Sequence, residues 1–218
     1  MSSQNWLPFG PKPRIWILVS DRDNNKFMNY LAHFVLSDED TLVGNFAGDF
    51  VKGKKTLEAL PEDFRRGVIW HRAIDDFTDS HPVFIQSVKR VRAEFGHYAG
   101  VAVDLYYDYL LATDFVKWTG EDLSDFSQRC YSALSLEMAT MPEKAQFVCE
   151  RMIQYDWLAS YATDKGLDRS FKGIASRTKF DSGLENGFTV LQDNEKELRA
   201  DFAQFFPRIL EFKKDYFK

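Results

Sequence analysis

Three side chains that can bind a metal recur along one short stretch of the chain. His71, Asp75 and Asp79 are spaced four residues apart. If the stretch is helical, all three lie on one face. Asp104 and Asp108 repeat the spacing in a second, strongly aromatic segment. An unpaired buried charge is costly, so two helices that turn acidic groups toward one core need a cation there. Imidazole and carboxylate ligands together suit a divalent metal.

Two earlier segments contain residues that could complete such a site. His33 lies on a short apolar helix predicted over residues 28–36, and Asp49 lies beside Phe46 and Phe50 in the next predicted helix, 41–51. A lone histidine on an apolar helix is commonly a core residue, and Asp49 could equally face solvent. The spacing does not rank Asp104 against Asp108. We expect one of them to bind metal and the other to orient a histidine ligand.

The composition is that of a mildly acidic globular chain. Its 218 residues are 44% hydrophobic with a net charge of −5, which fits one large domain and argues against nucleic-acid binding by bulk charge. Cys130 and Cys149 provide no disulfide framework and are expected to fill the core. No apolar run approaches the ~20 residues of a membrane span, and no convincing signal peptide is present. A cytoplasmic location without membrane contact is therefore expected.

The chain divides into a short extension and one helical domain. Prolines disfavour helix in residues 1–27, where residues 15–19 could form a strand, and strand signals are nearly absent afterwards. We predict a single all-α domain over residues 28–218. Glycines at 44 and 48, costly inside a helix, predict close approach to another backbone. The predicted helices are 28–36, 41–51, 61–81, 82–95, 98–118, 121–140, 142–156, 166–178 and 183–216, the last of which Pro207 could break.

Four motifs follow one another in this domain. They are MNYLAH (28–33), GNFAGDF (44–50), HRAIDDFTD (71–79) and VDLYYDYL (103–110), and three shorter motifs follow at 158–161, 173–177 and 202–207. Together they closely resemble the acyl carrier protein phosphodiesterase family over about residues 28–218. The resemblance implies an all-α fold distantly related to the HD-domain phosphohydrolases. It also implies hydrolysis of the phosphodiester that joins 4′-phosphopantetheine to a serine of holo acyl carrier protein.

The resemblance further implies a cofactor and a partner. Mn²⁺ or Mg²⁺ is the expected cofactor, and holo acyl carrier protein is the expected partner. Arg65, Arg66 and Arg177 are solvated charges by default, but they could dock an acidic carrier. One departure is visible, because the family often has Asp-His where this chain has Asp108 followed by Tyr109. The function of that histidine is either lost here or passed to Tyr109.

Phosphoryl transfer needs mainly positioning and charge stabilisation, and this guides the choice of catalytic residues. Asp49 is predicted to serve catalysis as well as metal binding. Asp79 could accept a proton from the attacking water, or it could instead cap a helix beginning near Pro82. Arg72 adjoins His71, and its planar guanidinium suits a phosphate oxygen. The alternative interpretation of the stripe formed by His71, Asp75 and Asp79 is an acidic surface that contains a histidine without a function.

Two other functions are compatible with the same residues. The first is a related phosphohydrolase acting on a nucleotide or another small phosphodiester. The second is a helical module that binds a carrier protein without catalysis and uses metal only for structure. A phosphohydrolase of small substrates would not need a docking face of basic residues. In a non-catalytic binding module, loss of Asp75 would only lower the stability of the fold.

Overall fold

The computed structural model describes residues 30–218, which form helices and turns with no strand. The all-α prediction is therefore confirmed for this part of the chain, while a relationship to HD-domain proteins stays a prediction. The proposed extension 1–27, with its expected strand, lies outside the described residues. In order, the helices are α1 (Tyr30–Val35), α2 (Glu39–Phe46), α3 (Lys54–Glu58), α4 (Glu62–Ser80), α5 (Pro82–Arg90), α6 (Arg92–Phe95), α7 (Ala99–Thr113), α8 (Phe115–Thr119), α9 (Leu123–Leu136), α10 (Glu143–Gln154), α11 (Trp157–Ser160), α12 (Asp164–Ala175) and α13 (Gly187–Tyr216).

The helix boundaries differ from the predicted ones in three informative places. The helix predicted over 41–51 ends at Phe46, and a 3₁₀ turn, Gly48–Phe50, follows it. The helix predicted over 98–118 is interrupted at Asp114, which separates α7 from α8. Conversely, α13 continues through Pro207. Pro207 is exposed, so water can bond to the carbonyl that loses its helical partner.

Helix α7 runs through the centre of the core. Most of its residues are buried, and Tyr106 is fully so. Trp70 of α4 is also fully buried and donates its Nε1–H to the carbonyl of Leu36 at 2.9 Å. That bond ties α4 to the segment joining α1 and α2. Within the described range, no helix is long and apolar enough to cross a membrane.

A buried carboxylate holds the long C-terminal helix against the rest of the bundle. Asp201 of α13 accepts hydrogen bonds from Arg90 Nε at 2.7 Å and from Ser87 Oγ at 2.9 Å. Ser87 Oγ lies 2.8 Å from the hydroxyl of Tyr107, which extends the network to α7. Because the charge of Asp201 is paired and bonded, its burial is tolerated. The network joins α5, α7 and α13.

Helices α2 and α4 approach each other through two glycines. A Cβ added to Gly44 would collide with the carbonyl oxygen of Phe64 and lie 2.8 Å from the Cα of Gly67. A Cβ added to Gly67 would lie 2.7 Å from the Cα of Gly44 and would collide with the carbonyl oxygen of Thr41. The close approach that the glycine at 44 predicted is therefore confirmed, and the partner is α4.

Substitution of either glycine should separate the two helices. We expect Gly44→Ala and Gly67→Ala each to lower the free energy of unfolding by about 1–3 kcal/mol, because backbone atoms must shift to admit the methyl group. Gly100→Ala is the control, since a Cβ there meets nothing within 4 Å. It should leave stability unchanged or raise it by up to about 1 kcal/mol. Urea unfolding of the three variants measures this, and equal losses at Gly44 and Gly100 would contradict the interpretation.

Candidate metal centre

The spacing of four residues on α4 produces the expected result for two of the three residues in the stripe. His71 Nε2 lies 3.4 Å from Asp75 Oδ2, one helical turn away. Asp49, from the 3₁₀ turn after α2, brings its Oδ1 to 3.3 Å from the same nitrogen. One potential ligand atom from each of these three residues lies within 4.8 Å of the others. Two segments distant in sequence therefore contribute to one cluster.

His33 of α1 joins this cluster through Asp75. Its Nε2 lies 3.4 Å from Asp75 Oδ1, so the two oxygens of Asp75 face two different histidines. The His33 and His71 rings are 4.4 Å apart between centroids. Both histidines are buried, whereas about a fifth of each carboxylate side chain, 24% for Asp49 and 17% for Asp75, reaches solvent. The cluster is thus closed on the imidazole side and open on the carboxylate side.

Asn45 of α2 contacts both histidines, and the sequence interpretation overlooked it. Its amide nitrogen donates to the carbonyl of His33 at 3.0 Å and to Ser37 Oγ at 2.7 Å. Since a carbonyl can only accept, these bonds fix which end of the carboxamide is oxygen. The oxygen lies 2.7 Å from His33 Nδ1 and 3.1 Å from His71 Nδ1. A buried amide next to a tightly packed glycine was the available signal.

The donor set fits a divalent cation. With each Nδ1–H donated to Asn45, each imidazole turns its Nε2 toward carboxylate oxygens at 3.3–3.4 Å. Facing lone pairs and negative charge repel each other unless a proton or a cation lies between them. Two imidazole nitrogens and two carboxylates together form a donor set that suits a divalent ion of the first transition series.

Two backbone features allow His71 and Asp49 to meet. A Cβ on Gly48 would lie 2.7 Å from the Cβ of His71 and would collide with its ring, so only glycine lets the imidazole pack there. Arg72 Nη2 donates to the carbonyl of Val51 at 2.9 Å, which fastens the chain just after Asp49. The predicted contact of Arg72 with phosphate stays a prediction.

Asp79 and the basic residues of α4 lie closer to solvent. Asp79 is exposed one turn beyond Asp75, and α4 continues past it. The cap of α5 is His81, whose Nδ1 accepts from the Val83 N–H at 3.3 Å, so this position is not capped by Asp79. Arg65 is half-buried, and Arg66 is exposed with a loose 3.4 Å contact to Asp63.

Asp108 occupies a different position from the metal-compatible cluster. Its two oxygens accept the backbone N–H groups of Leu31 and Ala32 at 3.0 and 2.9 Å, which satisfies the first turn of α1. Burial raises the pKa of Asp108 to about 7, while those two bonds and His33 oppose the rise. Asp104 lies one turn earlier on α7. Burial raises the pKa of the nearby Tyr107 phenol, and the negative charge of Asp104 adds to that rise. The three-residue group found among residues 30–218 includes neither aspartate.

Arg177 and Asp49 both act on the phenol of Tyr30. Burial raises the pKa of Tyr30, Asp49 adds to the rise, and Arg177 opposes it. The phenol of Tyr30 is therefore close enough to feel both charges. Burial also lowers the pKa of Arg177, with Tyr30 opposing, and its Nε donates to the carbonyl of Gly173 at 3.0 Å. Sequence reasoning gave Tyr30 no part in the site.

Tyr109, at the position of the histidine common in the family motif, makes a tethering contact. Its hydroxyl donates to Asp164 Oδ1 at 3.0 Å, at the start of α12. The bond joins the central helix α7 to α12 and is made to an exposed carboxylate. The hydroxyl of Tyr109 is thus engaged in packing between helices.

Comparison with known proteins connects this geometry to a family. A family model described as acyl carrier protein phosphodiesterase matches residues 28–209. A relative of that name from Enterobacter sp. (strain 638) is 28% identical over 186 residues, 84% of this chain and 96% of the relative. Another from Serratia proteamaculans is 29% identical over 195 residues, 86% of this chain and 98% of the relative. No solved structure matches the chain.

The bundle and its imidazole–carboxylate cluster define an all-α protein with a candidate site for a divalent cation. Since the match extends over most of its length, the chain belongs to the acyl carrier protein phosphodiesterase family. The resemblance carried by the four sequence motifs is thereby confirmed.

The capping position of Asp108 makes stability depend on pH. A carboxyl whose pKa is higher in the folded state stabilises the fold below its ordinary pKa of 3.8, and this contribution is lost as pH rises to about 7. The measurement is made with chelator present. As pH rises from 3.8 to about 7, the unfolding free energy of wild type should fall relative to that of Asp108→Asn, by up to ~1.4 kcal/mol per pH unit. Above this range the difference should level off. Urea unfolding from pH 4 to 8 measures it, and a difference independent of pH would contradict the assignment.

Proposed function

We propose that this chain is a divalent-metal-dependent phosphodiesterase that cleaves 4′-phosphopantetheine from holo acyl carrier protein. The observation that carries the proposal is the convergence of His33, Asp49, His71 and Asp75, in a chain whose family relatives are named for this activity. In the reaction, a water oxygen bonds to phosphorus and the bond from phosphorus to the serine oxygen breaks. The serine oxygen gains a proton, which gives apo carrier and free 4′-phosphopantetheine.

The four convergent residues would hold Mn²⁺ or Mg²⁺. When bound, such an ion supplies positive charge beside the phosphate and lowers the pKa of a water molecule. The open carboxylate side of the cluster leaves access for a phosphodiester. The buried imidazoles and the bonds of Asn45 keep the site from rearranging, and this preorganisation favours catalysis.

Three further residues have proposed functions at the open side. Asp79 is exposed one turn beyond Asp75, and its carboxylate would accept a proton from the attacking water. Arg177, whose charge acts on the same Tyr30 phenol as that of Asp49, would attract a phosphate oxygen. Arg72 is bonded to the loop after Asp49 and would contribute a further positive charge there. We assign Asp104 and Asp108 to supporting positions around the histidines.

Basic residues around the opening would dock the acidic carrier. Arg65 and Arg72 are seven residues apart, so they share one face of α4, and Arg66 adjoins them in an exposed position. Together with Arg177 they would give the opening a positive rim in a chain whose net charge is −5. A local patch of this kind accelerates encounter with a partner of opposite charge.

The central test is metal-dependent hydrolysis. Purified protein with holo acyl carrier protein and Mn²⁺ should remove the mass of phosphopantetheine, and chelator should prevent this. Asp75→Asn should lower the rate by roughly a hundredfold or more, because it weakens the proposed metal ligand that faces both histidines. Asp76→Asn, the exposed neighbour, is the matched control and should keep full activity. No mass loss with any divalent metal, from folded protein, would refute the proposed reaction and favour small phosphodiesters or binding alone.

The docking proposal makes a separate kinetic prediction. Arg66→Glu should raise KM for holo carrier severalfold with little change in kcat, because an exposed charge affects encounter more than chemistry. The effect should shrink as salt is added. Arg129→Glu is the control, since it reverses an exposed charge on α9. Steady-state kinetics at two ionic strengths measure both variants, and equal KM changes would show that α4 has no special part in docking.

A further inference from the structure

We infer that Asn45 is a positioning residue that prepares two metal ligands at once, through one oxygen shared by His33 Nδ1 and His71 Nδ1. The inference rests on the proposed metal-dependent function and assigns a part to a residue that is itself outside the ligand set. Its first support is geometric, because the two nitrogens lie 2.7 and 3.1 Å from the same carboxamide oxygen.

The direction of each hydrogen bond follows from the surroundings of Asn45. Its amide nitrogen faces the carbonyl of His33 and the hydroxyl of Ser37, and that hydroxyl already donates to the same carbonyl at 2.9 Å. The oxygen of Asn45 must therefore be the atom that faces the imidazoles, and an oxygen there can only accept. Each Nδ1 carries its hydrogen, and each Nε2 is left as the ligand atom.

The shared contact also controls where the rings lie. Asn45 bonds both Nδ1 atoms, and Asp75 faces both Nε2 atoms at 3.4 Å, so the two imidazoles are held between one acceptor and one carboxylate. Asn45 is completely buried, which excludes water as a substitute acceptor unless the helices part. One residue thus fixes the tautomer and the ring orientation of both histidines together.

Two substitutions separate this contribution from ordinary packing. Asn45→Asp and Asn45→Leu both lose the hydrogen bonds that the amide donates to His33 and Ser37. Only the aspartate keeps an oxygen facing the two Nδ1 atoms. If Asn45 mattered merely by joining α1 to α2, the two variants would lose metal affinity equally. If it acts through its acceptor oxygen, they differ.

The experiment is Mn²⁺ binding followed by electron paramagnetic resonance. We expect Asn45→Leu to bind Mn²⁺ roughly 10- to 100-fold more weakly than wild type, in line with loss of the group that orients a histidine ligand. Asn45→Asp should retain wild-type or tighter affinity. Electron spin echo modulation should show imidazole nitrogens coupled to Mn²⁺ in wild type and Asn45→Asp, with reduced coupling in Asn45→Leu. This spectral readout does not depend on the added charge of aspartate or on activity.

A matched control accounts for loss of stability. Thr41→Val removes the buried Thr41 hydroxyl, which accepts from the Asp38 N–H at 3.0 Å in the same helix. It should lower the melting temperature without changing Mn²⁺ affinity. Equal binding by wild type and Asn45→Leu would overturn the inference while leaving the proposed function standing. Wild type that binds no Mn²⁺, and no Mg²⁺ by calorimetry, would overturn both.

Discussion

The contact between Gly44 and Gly67 sets the geometry on which the site depends. Because neither residue has a Cβ, α2 and α4 approach until their backbones touch. Asn45 directly follows the first glycine, and His71 lies one turn beyond the second. The register of this contact therefore decides that an amide oxygen meets an imidazole. A wider separation of the two helices would lengthen the 3.1 Å contact between Asn45 and His71.

Charge balance explains why the site is half open. Two carboxylates and two imidazoles would be costly to bury together, since each charge loses hydration and the carboxylates repel. Leaving Asp49 and Asp75 partly exposed reduces this cost in the absence of metal. Burying His33 and His71 instead protects the hydrogen bonds to Asn45, which water would otherwise compete for. The cluster therefore has a solvated side formed by the carboxylates and a rigid, buried side formed by the histidines.

Local spacing predicted those parts of the site that lie within one helix. His71 and Asp75 meet because residues four apart in a helix always adjoin, whatever surrounds them. The same rule placed Asp104 and Asp108 on one face but could not reveal what faces them. The start of α1 takes up both oxygens of Asp108, and this is a contact between residues about eighty positions apart. Asn45 was overlooked because a carboxamide is neither a metal ligand of choice nor a charge.

The end of α2 shows why continuity of a helix could not be assumed. A regular helix over residues 41–51 would carry Asp49 onward along the axis of α2. The change to a 3₁₀ turn at Gly48 instead redirects the chain, and the missing Cβ admits the ring of His71 beside it. Arg72 then holds the carbonyl of Val51, so the turn is fixed at both ends. The helix ends at the point where the backbone packs against the imidazole of His71. This change of direction brings Asp49 to the cluster.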